Sequence, residues 1–275
     1  MPHFRITLAY DGTDFVGWQR QASGASIQEL LETALRELDG RDVTVTGAGR
    51  TDAGVHALGQ VASFTLNRTA TADVVVRALN ARLPASVRVL AAEETAAGFN
   101  ARFAARTKTY RYRIYNSEVA SPFERRYAWH VAAALDVDAM DNAARILEGR
   151  HDFAAFRATG SDTQSTEREV FSSKLFTTGD TEDTGEQSFG TRESNLCVRS
   201  VLRGGALAGG ELIVYEITGD GFLRHMVRAI VGTLVEIGRG RRPTGWMTVV
   251  LASRDRGLAG ATAPAEGLFL VRVGY

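Results

Sequence analysis

Cysteine is nearly absent. Cys197 is the only one in 275 residues, which excludes an internal disulfide and a cysteine-built zinc site and leads us to expect a reducing, cytoplasmic setting. Long apolar runs are missing too. No stretch reaches the roughly 18 uncharged positions of a membrane span, and the opening MPHFRITLAYDG has no basic-then-apolar leader pattern. A soluble protein with no membrane partner is expected. Net charge is zero, with 32 basic residues against 32 acidic, which argues against binding a polyanion by bulk charge. Lysine is scarce, two against 30 arginines. The planar arginine fork suits bidentate phosphate contacts, although GC-rich coding produces the same bias.

The zero is an average over unlike segments. Residues 99–113 (FNARFAARTKTYRYR) carry five basic side chains and no acid, and 222–242 carry five arginines against Glu236. Both are local cationic stripes. Residues 161–200 offset them with eight acids against four bases.

Composition is otherwise ordinary, 44% hydrophobic and 23% charged, and the length suffices for one large domain or two of usual size. Period-two patterns predict strands over 4–10, 43–46, 58–66 and 87–95. Helical patterns predict 26–38, with Ser26 as N-cap and Glu29 completing a capping box, and 71–81, opened by Thr71 or Asp73. The order strand, helix, strand, strand, helix, strand fits a ferredoxin-like half with an antiparallel sheet, since 47–57 leaves no room for a crossover helix. Further on, strands are predicted over 108–116, 126–131, 169–178, 211–218 and 268–274, and helices over 137–148, 221–237 and 244–252. The expected class is α+β, two ferredoxin-like halves with mainly antiparallel sheet flanking a central cleft. An N-terminal half spans 1–105 and a C-terminal half 106–275, the latter with a polar, acidic insert around 178–195 read as a poorly ordered surface loop.

The most informative stretch is GAGRTDAGVH at 47–56. It opens as G-x-G, but the third glycine of a dinucleotide fingerprint would fall on Asp52, and no Gly-Lys-Ser/Thr phosphate loop occurs in the chain. What remains is a loop between strands that presents Arg50, Asp52 and His56. Asp52 with His56 or His225 suggests a metal centre, yet Asp-x-x-x-His lacks paired carboxylates, so no metal is expected and His56 reads as a loop anchor. Trp18 reads as a buried residue packing the first helix.

GAGRTDAGVHALGQV resembles the signature of the tRNA pseudouridine synthase A family. YDGTDFVGWQRQ at 10–21, NARF at 100–103, KTYRYRIYN at 108–116, DFAAFRATGS at 152–161, FLRHMVRAIVGTLVEIG at 222–238 and APAEGLFLVRVGY at 263–275 are also similar to family elements, in family order. Roughly 162–200 departs from the pattern. The resemblance implies the pseudouridine synthase fold and the isomerisation of uridine to pseudouridine at positions 38, 39 and 40 of the tRNA anticodon stem-loop. It also implies a homodimer that needs no cofactor.

The family's chemistry then maps onto this chain. The base never leaves and water must be kept out, so one carboxylate suffices where a glycoside hydrolase needs two. Asp52 is the expected nucleophile, with attack on the sugar carbon, attack on C6 and removal of the 2′ proton all open. A water-excluding pocket disfavours an ionised carboxylate, so a cation is expected beside it. The resemblance assigns Arg228 to that place, Arg50 to holding the flipped nucleotide, Tyr110 to stacking on the base and Leu268 to the apolar wall. A stem uridine must leave the stack to react, and Arg102, Arg106, Lys108, Arg241 and Arg242 are expected to grip the RNA backbone on either side. Two other classes compete: an RNA-binding or chaperone protein with a vestigial site, and a metal-dependent nuclease or phosphohydrolase using Asp52 and His56. Arg50, Asp52, Tyr110 and Arg228 being intact together speaks against the first, and resistance to chelators would remove the second.

Overall fold

The computed structural model describes residues 1–158, 165–177 and 210–275. The insert around 178–195, Cys197 and the end of the DFAAFRATGS element lie outside them. Along the described residues the elements run β1 (His3–Tyr10), α1 (Ile27–Asp39), β2 (Thr46–Gly47), β3 (His56–Thr65), α2 (Ala72–Asn80), β4 (Val87–Thr95) and β5 (Thr107–Asn116). They continue with β6 (Trp129–Val131), α3 (Val137–Arg145), β7 (Gly149–Asp152), β8 (Glu167–Thr177), β9 (Glu211–Gly219), α4 (Met226–Gly238), α5 (Trp246–Ser253) and β10 (Leu268–Gly274). Pairing is mostly antiparallel, and the class is α+β.

The chain forms two compact units, residues 1–108 with 269–275, and residues 109–268. The first unit is built on β1, whose burial alternates strictly so that Phe4, Ile6, Leu8 and Tyr10 face the core. It pairs antiparallel with β3 on one side and β4 on the other. The remaining edge of β3 is shared, β2 pairing at Ser63 and Ala62 and β10 running parallel to it at His56 and Ala57. A ferredoxin-like strand order results. Helix α1 begins where Ser26 Oγ accepts the Glu29 N–H and ends at Gly40, left-handed at φ 74°. Its Ile27, Leu31, Leu35 and Leu38 recur at helical spacing and are buried.

The predicted strand at 43–46 shrinks to Thr46–Gly47 because α1 captures the backbone before it. The Glu32 carboxylate accepts the Val45 N–H at 3.2 Å, and the Gln28 amide donates to the Val45 carbonyl at 3.1 Å. A residue bonded that way has no ladder bonds left to offer. The closing strand, grouped by sequence order with the C-terminal half, joins the first unit from Phe269 onward.

In the second unit the strands lie in the order β5, β9, β8, β7, with β6 alongside β5. Helix α3 and the turn after it dock on β8 through carboxylates that accept strand N–H groups, Asp141 of the helix from Leu175 and Glu148 of the turn from Ser173. Predicted to run to 148, α3 stops at Arg145. Its last turn tightens into i→i+3 bonds to Leu147 and Glu148, and Gly149, at φ 97°, turns the chain into β7, which no period-two pattern announces. The strand predicted at 126–131 keeps only Trp129–Val131. Helix α4 is buried on all sides except at Arg228 and Glu236, which makes it the unit's core. It starts at Met226 rather than at the predicted 221 because His225 sits at φ 62°, outside the right-handed helical region.

Gly232 lets the 259–263 segment lie against α4, since a Cβ there would fall 1.7 Å from the Ala261 carbonyl oxygen. Gly232→Ala is therefore expected to lower stability by about 1–3 kcal/mol, a typical cost of overpacking. Urea unfolding measures this, and an unchanged midpoint would mean that 259–263 yields freely.

Candidate active site

In the first unit the 47–56 loop is held from both flanks. On one side Asp52 makes an isolated antiparallel bridge to Gly17, and the Trp18 and Gly54 N–H groups donate to Thr51 and Phe15 carbonyls at 3.0 and 3.4 Å. Gly17 is required there: its φ is 110°, and a Cβ would stand 2.5 Å from the Thr51 oxygen. On the other side the Ala48 N–H reaches the Val61 carbonyl at 2.8 Å and the Gln60 amide donates to the Gly49 carbonyl at 2.9 Å. Thr51 is turned inward, its hydroxyl 2.8 Å from Tyr10 Oη, between an exposed Arg50 and a half-buried Asp52. Burial pushes the Tyr10 phenol up to about 12, against the pull of its bonds to Thr51 and Gln60, so near neutrality it is an uncharged strut.

The bracing accounts for two residues weighed above. Trp18 is 3% exposed, with its indole packed on Gly47. His56 is buried and anchors the loop, Nδ1 accepting the Gly12 N–H at 3.0 Å while the ring stacks on Phe269. A nitrogen accepting that bond carries no proton, so Asp11 Oδ1, 3.2 Å from the same atom, is not its hydrogen-bond acceptor in this tautomer. Among the described residues no three His, Cys, Asp or Glu side chains are grouped to hold a metal.

The second unit assembles a different set. Arg228 lies in the first turn of α4, and Nε donates to the Ala263 carbonyl at 2.7 Å while Ala263 N–H donates back to the Arg228 carbonyl at 3.0 Å. One of five guanidinium donors is thereby committed to fixing the side chain. Tyr112 Oη donates to the Pro264 carbonyl at 2.8 Å, and the Tyr112 ring packs on Gly267, just before Leu268, which is buried. The Tyr112 phenol is pushed up by burial first and by Glu266 second, with Arg228 opposing, which places all three in one electrostatic neighbourhood. Tyr110 is 8% exposed and meets Phe222 edge-on, centroids 5.1 Å apart.

The cationic stripes divide. Arg111 pairs with Glu216 at 2.5 Å, and Arg113, 3% exposed, pairs with Glu124 at 2.9 Å. Arg113 is thereby part of the fold, a correction to the stripe read over 99–113, and the charge of Arg111 is matched by Glu216. Arg102 and Arg106 are exposed, and Lys108 is half-buried. Past the far end of α4, about 15 Å or more from Arg228 at 1.5 Å per residue, Arg241 pairs with Glu236 at 3.1 Å and the Arg242 guanidinium lies 4.3 Å from the Trp246 ring centroid. Sequence reading missed Tyr10, Gln60, Tyr112 and Ala263, which hold the candidate side chains in place. The one available signal was Gln60, the bulkiest polar residue in a strand pattern whose other polar residues are Ser63 and Thr65.

A family model described as tRNA pseudouridine synthase matches residues 6–104 and 143–275. The chain belongs to that family. It is 44% identical over 275 residues to tRNA pseudouridine synthase A of Myxococcus xanthus, covering all of this chain and 92% of that protein. The tRNA pseudouridine synthase A of Moorella thermoacetica is 43% identical over 277 residues with both chains covered in full, and that of Syntrophotalea carbinolica 42% over 271, covering 98% and 95%. A tRNA pseudouridine synthase of the A type is an enzyme, and the matched spans include Arg50, Asp52, Arg228 and Leu268. Tyr110 falls between the spans, although the full-length similarity to the relatives extends across it. No helix among the described residues is long and apolar enough to cross a membrane.

Proposed function

We propose that this synthase converts uridine to pseudouridine at positions 38, 39 and 40 of the tRNA anticodon stem-loop, with Asp52 as nucleophile and no cofactor. The N1–C1′ bond breaks, the uracil turns, C5 bonds to C1′, the C5 proton leaves and N1 takes one up. No atom or electron is gained or lost overall, so the reaction calls for no co-substrate. The reading is carried by Asp52, presented half-buried on a loop pinned to Gly17 on one flank and to Tyr10 and β3 on the other. Such pinning is the preorganisation a reacting group needs.

In this reading the Arg228 guanidinium, oriented by Ala263, keeps Asp52 ionised. Tyr110 stacks on the uracil, Leu268 walls the pocket and Arg50 holds the nucleotide turned out of the stack. A homodimer completes the RNA cleft. Unmodified tRNA transcripts incubated with the wild-type protein in excess EDTA test it: pseudouridine should map to 38, 39 and 40. Product only at other positions, or none until a divalent metal is restored, would overturn it.

Arg241 and Arg242 are proposed as RNA backbone contacts, with Arg102, Arg106 and Lys108 on the other flank. Replacing Arg241 and Arg242 together by alanine should weaken tRNA binding and flatten the plot of log affinity against log salt by roughly one to two units, about 0.9 for each phosphate no longer neutralised. Filter binding at several salt concentrations reads this. Unchanged affinity and slope would make the pair plain solvated surface.

A further inference from the structure

We propose that Phe103, with Arg102 beside it, is a stacking platform for an unpaired base of the RNA substrate, separate from the base that reacts. Phe103 is 81% exposed, one of the most exposed large apolar side chains among the described residues. The Arg102 guanidinium lies 5.7 Å from its ring centroid. An aromatic face left in water beside a cation suits a nucleobase, whose π-face stacks on the ring while the guanidinium takes the phosphate or adds a cation–π contact.

The backbone that carries the pair is tied down, so the exposure is built in. Asn100 Oδ1 accepts the Arg102 and Phe103 N–H groups at 2.9 and 3.2 Å. The Ala101 N–H donates to the buried Ser63 Oγ at 3.0 Å, and Tyr275 Oη donates to the Ala101 carbonyl at 2.9 Å. Arg106 N–H donates to the Gly274 carbonyl at 2.8 Å, which brings a second exposed arginine to the same end of the unit. Residues 99–108 contain no acid. Charge of one sign along that segment, with Glu93 on the neighbouring rung already paired to Arg5, favours a polyanion over a second copy of this chain.

Position sets the role. Ser63 lies opposite Arg5 in the β1–β3 ladder, whereas Tyr10, which holds the Asp52 loop through Thr51, lies opposite Ala57. Five residues of strand at about 3.3 Å each separate the two ends by about 17 Å. The platform is therefore several nucleotides from the reacting base and contributes to affinity and register, not to chemistry.

The inference rests on RNA being the substrate, and the test separates the two. Phe103→Ala is expected to raise both the Kd for a tRNA transcript and KM about tenfold, within the range for removing one base stack, with kcat unchanged and Phe103→Trp restoring affinity. The introduced tryptophan should also be quenched on adding tRNA. Arg102→Ala should lower the salt slope by about one. Truncating a side chain this exposed leaves the fold intact, which circular dichroism checks. An unchanged Kd in Phe103→Ala would overturn the proposal. So would a shift in sedimentation toward a smaller species with RNA affinity retained, which would assign the ring to a contact between copies. Wild-type protein that binds tRNA more tightly than Phe103→Ala but forms no pseudouridine would sink the functional reading and leave the platform standing.

Discussion

Asp52→Asn is expected to reduce pseudouridine formation by about 10⁴-fold or more, the scale seen when a group that makes a covalent bond is removed. The substitution keeps shape and size while deleting the negative charge. Backbone contacts help to place residue 52, the bridge to Gly17 and the Trp18 bond to Thr51, and the substitution leaves these intact, so loop and fold should survive and tRNA affinity should stay within a few-fold. Release of tritium from tRNA labelled at uridine C5 measures turnover, because the reaction expels that hydrogen. A variant rate within tenfold of wild type would remove Asp52 from the chemistry.

Arg228→Gln is expected to cost about 10²–10³ in kcat, the usual loss when one preorganised electrostatic partner is deleted. Glutamine can still donate one hydrogen bond to the Ala263 carbonyl, but it carries no charge. Arg228→Lys should recover little, since a single ammonium lacks the fork that would hold Ala263 with one edge and a carboxylate with the other. Because α4 is the core of its unit, a melting temperature must accompany the rates. If Asp52 and Arg228 act as a pair, the double variant should be scarcely slower than Asp52→Asn alone. Losses that multiply would show two independent roles.

Much of the fold was legible because burial writes its period into the sequence. The alternation in β1 and the Ser26 cap of α1 could be read residue by residue. Legibility failed where side chains took over backbone bonding, as Glu32 and Gln28 do at Val45, or where one backbone angle decided a boundary, as His225 does for α4. The arginine stripe failed for a related reason. Charge is visible in sequence but its partner is not, and Glu124 and Glu216 claim Arg113 and Arg111 from other elements.

For the site, sequence alone determined the inventory: a Gly-rich loop that is neither dinucleotide fingerprint nor phosphate loop, one aspartate flanked by arginine, and an arginine inside an apolar helix. Those are matters of composition and order, which local rules can read. Tertiary structure alone decided what holds them: Gly17 and Tyr10 on the Asp52 loop, and Ala263 on the Arg228 guanidinium. It also left Phe103 in water while burying Tyr110 and Tyr112. The physical reason is range. Hydrophobic period and capping act over a few residues, whereas each of those holding interactions joins positions far apart in the chain, and nothing local to either partner encodes the other.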